Sequence, residues 1–105
     1  MTREQVLAMQ PGRELDMLVA ESVMGWVVDG SHLKMNGYIA YMADFKPSRD
    51  ISAAWEVEEK IKTMDIEVVR RYVSLIYDLS GYGFVAIHAS PAARSKAALL
   101  AVMGK

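Results

Sequence analysis

The residues best equipped for chemistry lie near the C-terminus, in the segment Ser90-Pro91-Ala92-Ala93-Arg94-Ser95-Lys96. Serine followed by proline opens a helix: the serine oxygen caps free N–H groups, and proline suits the first turn because its missing N–H costs nothing there. The remaining open N–H groups and the positive end of the dipole favour an anion. Arg94 and Lys96 stand in the first two turns, where basic side chains are mildly unfavourable to an isolated helix. A bound phosphate or carboxylate would reverse that penalty. Arg70 and Arg71, read as neighbours on a strand, project to opposite faces, so at least one meets a helix layer, a pocket or a partner. The candidate anion site is therefore Ser90, Arg94, Ser95 and Lys96 with Arg70 or Arg71.

Other chemistry is thinner. His32 sits in a turn-rich stretch three residues after Asp29 and would need ligands from elsewhere to hold a metal. His88 stands at the end of an expected strand, where backbone hydrogen bonding explains it. Ser90, His88 and Asp78 make a triad only on paper, because no nucleophile-elbow context accompanies them. Gly81-Tyr82-Gly83-Phe84 lacks the glycines and the Lys-Ser/Thr of a phosphate loop and reads as a strand edge or turn. Glu56, Glu58 and Glu59 read as the solvated face of a helix. No catalytic residue, metal site or cofactor is assigned. Among the aromatics, Trp26 and Trp55 fall in helix-packing patterns and are expected in the core. Tyr38 and Tyr41, with Met42, are the candidate contact surface.

The elements that must position these residues follow from periodicity and punctuation. Thr2 with Gln5 has capping-box spacing, and Pro11-Gly12 ends that first helix. From Arg13, Leu15, Leu18, Val19, Ser22 and Val23 share a helical face, with Glu14 and Asp16 in the first turn and Gly25 as terminator. Trp26-Val27-Val28 reads as a short strand, and Asn36-Gly37 is the best hairpin dipeptide in the chain. Residues 38–45 read as a second strand of weakly specified register, with a loop as the rival. Asp50, with Ser48 as rival, caps a helix carrying Ile51, Ala54, Trp55 and Ile61 on one stripe and Glu58 with Lys62 as an ion pair. Residues 66–78 fit a helical period but are β-branched and aromatic throughout. Paired with the apolar run 82–89, they are read as a strand. Ala98, Leu99, Val102 and Met103 face the core from the last helix, which Gly104 stops.

Composition narrows the classes. The chain has 105 residues, enough for one domain. Apolar residues make up 52% and charged residues 24%, a globular balance. A net charge of −1 gives no general pull toward nucleic acid or acidic membrane. With no cysteine there is no disulfide, zinc-thiolate site or cysteine nucleophile, which suits a reducing compartment. No signal-like segment or membrane-spanning run is present, and a cytoplasmic location is expected. Eight methionines read as gap-filling core residues. The surplus of apolar side chains makes a homo-oligomer plausible.

Four segments carry a resemblance: Gly-Arg-Glu-Leu-Asp at 12–16, Val-Ala-Glu…Met-Gly-Trp at 19–26, Asp-Ile-x-Ala-Ala-Trp-Glu-Val at 50–57 and Ala-Ala-Leu-Leu-Ala-Val at 97–102. In this order and spacing they resemble the phage ABA sandwich domain family. The resemblance implies a helix–sheet–helix sandwich encoded by a phage or prophage. It covers most of the chain apart from 29–48 and 62–82. The family often carries Cys-Arg in its last helix, and Arg94-Ser95-Lys96 stands near that place here. The expected fold is thus α+β: a small, mainly antiparallel sheet covered by about three helices. Two functions fit. The first is an accessory protein that binds a host or phage protein without catalysis. The second is a protein that sequesters a small anionic ligand such as a nucleotide signal. An enzyme fits least, since no acid, base and nucleophile set is visible.

Overall fold

The last helix is the centre of the molecule, and the rest of the chain is wrapped around it. The computed structural model describes residues 1–105. The chain runs α1 (Arg3–Ala8), α2 (Arg13–Ser22), β1 (Val27–Asp29), β2 (His32–Met35), β3 (Tyr38–Tyr41), a 3-10 turn (Met42–Asp44), α3 (Ile51–Lys62), α4 (Ile66–Ser80), α5 (Phe84–Ile87) and α6 (Pro91–Met103). Helix α6 packs against α1, α2, α3 and α4. Ala97, Ala98, Leu99, Leu100 and Ala101 are all buried, as are Arg94 and Ser95. A helix enclosed on every side is apolar all round, and its alanines let the neighbouring helices come close. Val6, Leu15, Val19, Val57, Ile61, Leu75 and Ile76 meet it in one core.

The helix ends follow the punctuation. Thr2 and Gln5 form the capping box of α1, and Asp50 rather than Ser48 caps α3, accepting from Ser52 N at 3.1 Å. Ser90 caps α6 with Pro91 behind it, and Gly104 closes it in the left-handed conformation at φ 75°. The sheet is an antiparallel meander in the order β1-β2-β3. Its second hairpin turns at Asn36-Gly37, where Gly37 holds φ 87°. Residues 38–41 are a strand, and 42–44 close it with a 3-10 turn. The fold is mixed α+β, rich in helix with a small sheet.

Two expected strands are not strands. Residues 66–80 form α4, and 82–89 form a bend and the single turn α5. In α4, Val68, Tyr72, Leu75, Ile76 and Leu79 recur at three- and four-residue spacing and face the core. Full burial of side chains such as Leu75 or Ile76 stabilises by ~1.5–3 kcal/mol each. β-propensity spans only ~1 kcal/mol, so packing against α6 decides the conformation. Between the two helices, Gly81 and Gly83 hold φ 105° and 64°, a turn that only glycine makes without strain.

Candidate functional site

The largest concavity is a groove of about 590 Å³ between α3, α4 and α5. Its walls are Trp55 from α3, Val73 and Tyr77 from α4, and Ile87 from α5, with Ile76 and Ala86 beneath. The floor is polar and fully engaged. Arg94 Nη1 and the Tyr72 hydroxyl both donate to Glu58 Oε1 at 2.7 Å. The other Arg94 donors go to backbone: Nε to Ala89 O at 3.0 Å and Nη2 to Ile87 O at 2.6 Å. Arg94 therefore ties the end of α5 to α3. Burial, followed by the hydrogen bond and charge of Glu58, pushes the Tyr72 hydroxyl well above the ordinary tyrosine range, against the opposing pull of Arg94. Tyr72 is thus a neutral donor at any physiological pH.

Of the expected anion-site residues, Ser90 and Arg94 line one small hollow together, and the others lie apart from it. Arg94 is on the groove floor, held by its own carboxylate and carbonyls. Ser90 accepts from Ala93 N at 3.0 Å as a helix cap. Ser95 is fully buried on α6, its hydroxyl without a partner. Lys96 Nζ donates to Leu7 O at 2.9 Å and so pins α1 to α6. Arg71 Nε donates to Ala101 O at 2.9 Å, near the end of α6. Arg70 is exposed and pairs with Glu67 at 3.3 Å. The two arginines belong to a helix, not to opposite faces of a strand. No single site gathers the set.

Other expectations resolve individually. His88 follows α5 and is exposed, its ring 4.5 Å from that of Phe84. Asp78, its partner in the paper triad, pairs instead with Arg3 at 3.9 Å. Glu58 is not the partner of Lys62, which reaches Glu59 at 3.2 Å. Trp26 is half-buried, with its ring edge-to-face on Phe45 at 5.1 Å. Trp55, expected in the core, is 54% exposed on the lip of the groove.

The meander gives a second surface. Strand pairing sets Val28, Leu33 and Ala40 side by side, and Leu33 is buried. The opposite face carries the row Val27–Lys34–Ile39 and the row Asp29–His32–Tyr41. Val27, Ile39 and Tyr41 are each about 60% exposed, and Lys34 pairs with Asp29 at 3.0 Å. Tyr38 and Tyr41 are both exposed, but alternation along β3 places Tyr38 on the face of Leu33 and Ala40 and Tyr41 on the opposite face with Ile39. Met42 is not exposed as a contact surface requires: at 1% it belongs to the core, because the 3-10 turn folds it inward. β3 is an edge strand, and Tyr38-Ile39-Ala40-Tyr41 holds neither charge nor proline to guard it.

A feature outside the sequence reading is buried Asp16 on α2. It accepts from Ser48 N at 2.8 Å and pairs with Arg49 at 2.8 Å, while Ser48 Oγ accepts from Gly12 N at 2.9 Å. These bonds fasten the segment entering α3 to the start of α2. Arg13, Lys46 and Arg49 surround the adjoining hollow, in which Asp16 is the one acidic lining residue, so its lining is net basic. An aspartate in a helix's first turn is ordinarily explained by the dipole, so the sequence carried no signal for this role. No group of three or more His, Asp or Glu side chains is placed to hold a metal ion, and no helix is long and apolar enough to cross a membrane.

Fold and surfaces together define a small helix-rich α+β domain in which several charged groups fasten its parts and two exposed patches are apolar. The profile of the phage ABA sandwich domain matches residues 17–99. The chain belongs to that family, and is a small phage-type protein. Neither a curated protein nor a solved structure matches it significantly.

Proposed function

We propose that this chain is an accessory protein that acts without catalysis, by binding a host or phage protein at the meander. The observation that carries the reading is the unguarded edge strand β3, flanked by exposed Tyr38, Ile39 and Tyr41. An open strand edge offers unpaired N–H and C=O groups to an extended segment of another protein, and alternate side chains supply the specificity. Protein edges are commonly blunted by lysine, proline or a bulge, and β3 has none of these in its sequence. The partner is thus a protein that contributes a strand, with apolar side chains to cover Ile39 and Tyr41.

Sequestration of a small anion is the weaker reading. Of the basic groups proposed for it, Arg94, Lys96 and Arg71 donate to protein oxygens, and Arg70 is paired at the surface. Two experiments separate the readings. Thermal melting against nucleotides, cyclic nucleotides and inorganic phosphate is expected to show no shift. A specific ligand at about 100 times its dissociation constant would add roughly 2.7 kcal/mol and reinstate the anion reading. Affinity capture from infected cells is expected to yield a partner with the native chain and to lose it when Ile39 and Tyr41 are both changed to lysine. Retention of that partner by the double variant would refute the meander as its site.

A further inference from the structure

We propose that the α3–α4–α5 groove is closed by a second copy of this chain in an isologous dimer, with α5 of each protomer seated in the groove of the other. This surface is separate from the meander, and the inference does not rest on the partner reading.

Three observations lead to it. The first is area. Trp55, Val73, Tyr77, Tyr82, Phe84 and Ile87 are between 38% and 76% exposed. Scaling the four aromatics from ~150–250 Å² for a full aromatic side chain, they present roughly 500 Å², to which Val73 and Ile87 add, toward the ~800 Å² per partner of a standard interface. The largest apolar patch on a typical monomer is ~300–600 Å². A small ligand would leave much of this face uncovered.

The second is shape. A twofold interface must be complementary to itself, so one patch has to hold both the projection and the recess. Here they lie side by side. Tyr82 and Phe84 are 75% and 76% exposed; the Tyr82 ring rests 4.9 Å from that of Tyr77 at the groove wall, and the Phe84 ring 4.5 Å from that of His88 after α5. The recess beside them is the groove, with Trp55, Val73 and Tyr77 as its walls and Ile76 and Ala86 beneath. A rotation that brings one α5 over the opposite groove brings the second α5 over the first groove.

The third is charge. The groove's charged lining residues, Glu58 and Arg94, neutralise each other at 2.7 Å. The chain's formal net charge is −1, so two copies meet with little repulsion. A basic or acidic partner would find no unmatched charge to recognise.

The test is sedimentation equilibrium of the purified chain from low to high micromolar concentration, with Phe84→Asp, Ile87→Asp and Tyr82→Asp as variants and Tyr41→Lys as control. The native chain and the control are expected to reach twice the monomer mass of 11.7 kDa. The groove variants are expected to dimerise at least about tenfold more weakly with unchanged helical circular dichroism. Tyr82 lies outside every helix, so its variant keeps the test open if a change within α5 unfolds that turn. A native chain that stays monomeric throughout overturns the proposal, as does a dimer that survives the groove variants or is lost in Tyr41→Lys.

Discussion

The groove and the outer face of the meander expose similar side chains, yet they differ in shape and in what holds them. The groove is a recess beside a projection, and its floor is a buried ion pair. The meander face is a flat patch ending in an open strand, and its polar pair, Lys34–Asp29, is in solvent. We propose a second copy of the chain as the occupant of the first surface and a strand of another protein as that of the second. The contrast teaches that exposed aromatic area has to be weighed together with shape and unpaired backbone before an occupant is proposed.

The largest expected effect falls on the groove floor. Arg94→Ala leaves Glu58 without its cation, with only the Tyr72 hydroxyl still donating to it, and frees the carbonyls of Ile87 and Ala89. Breaking a buried pair costs ~3–5 kcal/mol, and the lower end, about 3 kcal/mol, applies here because Glu58 is one-third exposed. Urea denaturation measures it. A loss under ~1 kcal/mol, as for an exposed pair, would show that the floor does not hold α5 in place.

Next come the rims. Ile87→Asp is expected to weaken the dimer by about 2 kcal/mol, the scale of an interface hot spot, while the monomer's stability changes by no more than ~0.5 kcal/mol. Ile39→Lys is expected to weaken partner capture by about 1 kcal/mol and to leave the dimer intact. If either substitution affects the other surface, the two faces are not independent.

The smallest effect is a titration. Because Tyr72 is raised in the folded state, its proton is kept on folding after the unfolded chain has begun to lose it near the ordinary value of 10.0. The stabilisation is complete below that pH and is lost as pH rises above it. The melting temperature of the native chain should therefore fall more steeply above pH 10.0 than that of Tyr72→Phe. Parallel curves would mean that Tyr72 is not held neutral by its site.

The same contrast explains what was legible in the sequence. Caps and turns were: Thr2, Asp50, Ser90-Pro91 and Asn36-Gly37 act locally, through bonds and dihedral preferences that need no tertiary context. The segments around the groove were not. Residues 66–78 mix an inner apolar stripe, Val68, Tyr72, Leu75 and Ile76, with an outer one, Ile66, Val73 and Tyr77, that remains exposed. Two stripes blur the helical period and imitate a strand. In 82–89 only Ala86 and Ala89 are buried, and the large residues Tyr82, Phe84, Val85 and Ile87 face outward. A pattern search assumes that large apolar residues point inward, and it fails where they stay exposed in the folded chain. Trp55 fails as a core residue for the same reason. Arg94 was expected as an anion ligand; its pairing with Glu58 was not legible, because Glu58 lies 36 residues away and only the packing of α3 on α6 brings them together. For the meander, the exposure of Tyr38 and Tyr41 was legible. Met42 was not, since its inward turn depends on the 3-10 geometry that follows β3.

The central claim is that two faces have two different occupants, and photo-crosslinking inside infected cells tests it most directly. A photoreactive amino acid would replace Tyr41 in one chain and Ile87 in another. The account predicts a self-adduct of twice the chain mass from position 87 and an adduct to a different protein from position 41. Adducts of the same composition from both positions, or none from position 41, would contradict it.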